Sequence, residues 1–247
     1  MHNNVLWRGA LPLPIPMVPA ESWLLPSTDE AAMWIASYAL GLHAAGWRLL
    51  TADAALVSKL GNKATLRAHA EALGILHVLP THYASAKSAT YPCILKVATG
   101  EYGRGTHIVQ RAAEVRHLAP AGLGADWVLQ ELIVGRREMA TSLLVKDGVV
   151  LDCICTTYEY ACESYVWPRV GEVRARRQHS REVPARHADT MRHLLQGFSG
   201  ICNFNYKVDA TSGHMKIFEI NTRAGADLAC DVPAAMLRQF FAKLDAC

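Results

Sequence analysis

The sequence has no uninterrupted apolar run long enough to cross a bilayer, which takes about 20 consecutive apolar residues. Its opening residues lack the basic head and continuous apolar stretch of a secretory signal. A soluble, cytoplasmic protein with no membrane partner is therefore expected. The seven cysteines are odd in number and never spaced Cys-x-x-Cys, and the eleven histidines form no metal-binding pair. Neither a disulfide framework nor a zinc site is encoded. Charge of one sign is also scarce: the net charge is +3, too small for a global field that attracts nucleic acid. Only Arg169, Arg174, Arg176, Arg177, Arg181 and Arg186 form a local basic stretch. Internal repeats, low-complexity tracts and a Gly-Lys-Ser/Thr phosphate loop are missing too, which excludes solenoids and Walker-type nucleotide binding.

What is present is a chain of 247 residues, 51% hydrophobic, enough for one or two packed subdomains. Pro12, Pro14, Pro16 and Pro19 suggest an extended arm that packs on the body or on a second subunit. Ser27 and Glu30 form a capping box ahead of one helix, in which Trp34, Tyr38 and Leu42 recur at helical spacing up to the stop at Gly46. Asn62 caps a second helix, with Lys63 in its first turn and Gly74 as its end. From Tyr91 onward β-branched or alternating runs dominate, broken by Gly, Pro and the hairpin pair Asp147-Gly148. Helical spacing returns in "ARHADTMRHLLQGF" and "PAAMLRQFFAKL". Strands followed by helices imply an α+β fold with mainly antiparallel sheets.

Three stretches carry chemistry. In "LKVATGEYGRGTHIV" Lys96 ends a strand and Gly100, Gly103 and Gly105 follow before Thr106 opens the next. Backbone amides freed by glycine, beside a lysine, make a phosphate cradle. "VLQELIVGRREMA" places Gln130, Glu131, Leu132 and Ile133 at a strand end, with Glu138 seven residues after Glu131. Such a linker offers backbone groups to a purine edge and a carboxylate to ribose hydroxyls. In "GICNFNYKVDATSGHMKIFEINTR" the residues Asn203, Asn205, Lys207 and Asp209 alternate with Phe204, Tyr206 and Val208. By the same alternation Glu219, Asn221 and Arg223 share one face, with Phe218 and Ile220 on the other. A turn centred on Ser212 sets Asn205 opposite Glu219 and Lys207 opposite Ile217, merging two polar faces. Glu219 and Asn221 then supply oxygen donors of the kind Mg²⁺ takes.

The ordered set of Lys63, Lys96, the glycine loop, the Glu131 and Glu138 pair and "FEINTR" resembles the ATP-grasp superfamily, chiefly its carboxylate-amine ligases. The resemblance covers the chain from about Leu56 onward. It implies ATP held between two α+β subdomains, Mg²⁺ bridging its phosphates, and a small-molecule or peptide carboxylate activated as an acylphosphate for attack by an amine. Lys63 and Lys96 correspond to phosphate contacts; the loop with Gly103, Gly105 and Thr106 corresponds to the lid. Residues 130–133 correspond to the adenine hinge and Glu138 to the ribose contact. Glu219, Asn221 and Asn205 fall at metal-ligand positions, and Arg223 and Lys207 at catalytic ones. Two departures accompany it: Asn205 stands where the family places a carboxylate, for which Asp209 is a substitute, and only residues 1–58 precede the lysine helix. The implied division is an arm and reduced segment at 1–58, one subdomain at 59–134 and a second at 135–247, with a partner protein or a second copy completing the short N-terminal region. The alternatives are an ATP-binding module without ligase activity and, third, a nucleic-acid-binding protein using "RVGEVRARRQHSR".

Overall fold

The computed structural model describes residues 5–7, 22–99, 103–124, 126–166, 176–210 and 212–247. The proline arm, Gly100, Arg169 and Arg174 lie outside them. After a short parallel pair, β1 (Val5–Trp7) with β2 (Leu24–Pro26), the chain forms α1 (Asp29–Ser37) and α2 (Ala39–Ala44). The cap of α1 is Thr28, not Ser27: its hydroxyl accepts from the Ala31 N–H at 3.1 Å. The single helix expected there breaks at Tyr38. A further helix, α3 (Ala54–Gly61), capped by Asp53, runs into α4 (Lys63–Ala72). As expected, Asn62 caps α4, its carbonyl oxygen accepting from the Ala64 N–H at 2.8 Å.

Two antiparallel sheets follow. The smaller has the order β4-β3-β5, with β3 at Cys93–Val97, β4 at Thr106–Val109 and β5 at Trp127–Glu131. Helix α5 (Ala112–Leu118) covers one of its faces, where Cys93, Leu95, Val109, Val115 and Leu129 form a core. Alternation sends Ile94, Lys96 and Gln130 to the other face.

The larger sheet has five strands in the order β10-β9-β6-β7-β8. They are β6 (Arg137–Lys146), β7 (Val149–Glu159), β8 (Arg176–Ser180), β9 (Gly200–Val208) and β10 (Met215–Asn221). Asp147 and Gly148 turn β6 into β7 with φ of 50° and 78°, the left-handed pair a two-residue hairpin needs. On one face Leu143, Cys202, Phe204, Tyr206, Ile217 and Ile220 pack against α3, α4 and α6 (Ala185–Leu194). Burying a side chain such as Phe204 contributes about 1.5–3 kcal/mol. The opposite face changes character along its length. Leu144, Ile154 and Ile201 pack against α7 (Ala234–Asp245), and further along the same strands come Ser142, Ala140, Asn203, Asn205 and Lys207. Apolar packing thus ends where the polar row begins. The fold is α+β and the two large sheets are antiparallel throughout. Among the described residues no helix is long and apolar enough to cross a membrane.

Candidate functional site

Strand pairing sets Asn205 opposite Glu219, as the alternation requires, but Lys207 lies opposite Lys216 rather than Ile217. The reason is a bulge between Ile217 and Glu219, which inserts Phe218 as an extra residue. Strict alternation therefore fails at one residue: Phe218 turns to the same side as Glu219 and lines the cavity, while Ile220 stays in the core.

That cavity, of about 510 Å³, lies between the two sheets. Lys63, Lys96, Gly103, Thr106, Gln130, Glu131, Leu132, Ile133, Glu138, Asn205, Lys207, Glu219, Asn221 and Arg223 all line it. Among the described candidate residues, Gly105 and Asp209 do not. At φ +65° a Cβ on Gly105 would sit 2.9 Å from Val97 Cγ1, so this glycine lets β4 pass close over β3.

The polar row is one connected network. The Lys63 ammonium pairs with Glu219 Oε2 at 3.4 Å, and Lys96 Nζ donates to the Phe218 carbonyl at 3.0 Å. The amides of Asn205 and Asn221 donate to Glu219 Oε1 at 3.3 and 3.5 Å. Arg223 Nη2 donates to Asn221 Oδ1 at 3.4 Å. Burial pushes the Glu219 carboxyl up, but the charges of Lys63, Lys96 and Arg223 outweigh it and hold the group below the usual range. Burial, then the neighbouring Lys63 charge, brings the Lys96 ammonium down to about 7. This row thus sets Lys63, Lys96 and Arg223 around the Glu219 carboxylate, an arrangement suited to a polyanion.

At the hinge, Glu131 Oε2 accepts from the Thr81 N–H at 3.0 Å and Gln130 Nε2 meets His82 Nε2. Among the described residues Leu132 makes no backbone–backbone hydrogen bond, which leaves its peptide edge to a ligand. Glu138 Oε2 accepts from the Tyr165 hydroxyl at 2.7 Å, and burial raises its carboxyl. Lys207 serves this end of the cleft: Nζ donates to Ile133 O at 3.1 Å and Glu163 O at 3.3 Å, and lies 4.1 Å above the Tyr165 ring. Asp209 does not stand in for Asn205. Its carboxylate accepts from the Ser212 N–H and hydroxyl at 2.6 and 2.7 Å, closing the β9–β10 turn beyond the end of β9.

Several lining residues were not singled out by the sequence. Asp227 sits in a π-helical turn, Asp227–Asp231. It accepts from Asn203 Nδ2 at 2.9 Å and from the Ser142 hydroxyl, and burial raises its carboxyl to about 6. Tyr158 donates to Asp231 Oδ2 at 2.6 Å, and Arg177 Nη1 to Oδ1 at 2.7 Å. The two-residue spacing of Tyr158, near the end of β7, and Tyr160, just past it, signals a shared face; nothing local signals the π-turn. Arg177 pairs with Asp231, and Arg181 with Asp152. These two arginines of the basic stretch are thus paired with carboxylates, while Arg169 and Arg174 lie outside the described residues.

No family model matches the sequence, and no curated protein does. Solved structures do match. The L-amino acid ligase from Bacillus licheniformis aligns at TM-score 0.60 and 14% identity, over 83% of this chain and 50% of that one. The D-alanine–D-alanine ligase from Bacillus anthracis, in complex with ATP, aligns at 0.57 and 14% over 91% and 78%. Rhizobium etli pyruvate carboxylase aligns at 0.58 and 17% over 91% of this chain and 21% of that one. The chain therefore spans half or less of the ligase from B. licheniformis and of the carboxylase. At these identities the likeness shows the fold alone, the α+β fold that the chain shares with these two ligases and this carboxylase.

Proposed function

We propose that the chain is an ATP-dependent, ADP-forming ligase that joins a carboxylate to an amine through an acylphosphate, with Mg-ATP bound between subdomains at 59–134 and 135–247. The observation that carries this reading is the cation-lined row of Lys63, Lys96, Glu219, Asn221 and Arg223 along one cavity between two sheets. Leu132 and Ile133 take the purine edge and Glu138 the ribose, on the floor formed by Phe218. Lys63 and Lys96 neutralise the phosphates, Thr106 and the glycine loop close over them, and Arg223 meets the transferred phosphoryl group. Lys207 steadies the hinge through the Ile133 carbonyl. Catalysis is then positioning and charge neutralisation, and no strong base is required.

A hard divalent cation fits the donor set: Glu219 with the side-chain oxygens of Asn221 and Asn205, all oxygen ligands. Both amides turn nitrogen toward Glu219, so each must rotate about its final torsion to ligate. When bound, Mg²⁺ lowers the repulsion between the transferred and leaving phosphates. The second reading, an ATP-binding module without ligase activity, draws on Asn205, which leaves one carboxylate in this set. ADP release measured over a panel of carboxylates and amines separates the two. Release that needs both partners supports the ligase; tight ATP binding with no partner-dependent release supports the module.

A further inference from the structure

Arg223 is 5% exposed, and a buried guanidinium needs a counter-charge. The structure brings one from outside the cavity lining: Asp29 Oδ1, 3.3 Å from Arg223 Nε in an ion pair that lacks the alignment of a hydrogen bond. Asp29 is the first residue of α1, fixed there by the Thr28 cap. The helix is anchored in turn by Ala32, which packs into the core with Val57 and Leu60. On the opposite edge, Arg223 Nη2 and Nη1 donate to Asn221 Oδ1 at 3.4 Å and Ala224 O at 3.1 Å. We propose that Asp29 is a positioning residue: it holds the Nε edge of Arg223 so that the Nη edge faces the cavity where the phosphoryl group transfers. The segment ahead of the nucleotide motifs thereby contributes a residue to the reaction centre. This inference rests on the ligase reading above.

Its electrostatics give a distinctive signature. An aspartate beside an anion site opposes anion binding, so Asp29→Asn acts on charge in favour of nucleotide binding while releasing the guanidinium that transfer requires. The expected result for the full chain is ADP release from Mg-ATP, measured with a panel of amino acids and dipeptides, at least tenfold slower, with ATP affinity unchanged or tighter. Asp29→Glu restores part of the rate, and Asp29→Asn adds nothing to Arg223→Lys in the double variant. A merely structural aspartate would weaken rate, affinity and thermal midpoint together, and that outcome overturns the proposal. A second arm needs no substrate. In ¹⁵N-arginine-labelled protein, the Arg223 Nε–H resonance, identified by its loss in Arg223→Lys, should be sharp in the parent and broadened or shifted in Asp29→Asn and Asp29→Ala. An unchanged resonance also overturns the proposal. If the parent binds no ATP, the ligase reading falls, while this resonance still decides whether Asp29 orients Arg223.

Discussion

At the scale of single residues the cleft is a set of charges that a ligand must satisfy. Lys96 is buried and donates to one carbonyl, and burial outweighs the support that the Glu219 charge gives its ammonium, so Lys96→Ala should remove a cation that the fold holds at a cost. Calorimetric ATP affinity should fall more than tenfold, about 1.4 kcal/mol, with the thermal midpoint held or raised. A change within twofold would sink its phosphate role. Glu219→Gln keeps the shape of the side chain but removes the charge that pairs with Lys63. Turnover should drop at least a hundredfold, on the order of 3 kcal/mol in barrier, in a protein whose circular dichroism is unaltered. Asn205→Asp adds a second carboxylate opposite Glu219, so a magnesium titration of ADP release should saturate at lower Mg²⁺. At this scale the sequence was informative about placement: Lys63, Lys96, Glu219 and Asn221, picked out by residue type and order, line one cavity. Asp227 and Asp29 escaped because only tertiary contact gives them partners.

At the scale of elements, legibility followed periodicity. The alternating runs of β6, β7 and β9 are strands because each must present one face to α3, α4 and α6. The Asn62 cap was readable because its partner N–H groups lie two and three residues on. The break at Tyr38 and helix α5 carry no comparable local signal. The bulge at Phe218 was hidden for another reason: one extra residue in a ladder costs little and changes no composition. It gives a sharp test. Deleting Phe218 leaves Ile217 opposite Tyr206 and Glu219 opposite Asn205 in a regular ladder, so the core faces survive. The variant should fold, with a thermal midpoint lower by several degrees, yet bind ATP at least tenfold more weakly, having lost the apolar floor and the acceptor of Lys96. A variant that binds ATP normally would remove Phe218 from the site.

At the scale of the whole molecule, pH should act on the hinge through His82. Burial, then the charges of Lys96 and Arg67, holds its ring at about 4, against an ordinary 6.5. A histidine depressed in the fold contributes stability that is fully present above 6.5 and is lost as pH falls toward 4. His187, lowered by burial, acts in the same direction, whereas Asp227, raised to about 6, acts in the opposite one. The difference between parent and His82→Gln isolates the first group: the parent's advantage in melting temperature should grow from pH 4 to 6.5 and then level off, and a flat difference would contradict this. The latches across the cleft have a kinetic consequence. Lys96, on the small sheet, grips a carbonyl of the large one, and Lys207, on the large sheet, grips the carbonyl of Ile133 just past the small one. On the ligase reading, a nucleotide that takes the Lys96 ammonium must first draw it from the Phe218 carbonyl, so its capture should proceed well below an encounter limit of about 10⁹ M⁻¹s⁻¹. In stopped flow the observed rate should bend toward a plateau as ATP rises, the plateau being the speed at which the empty protein lets go of itself.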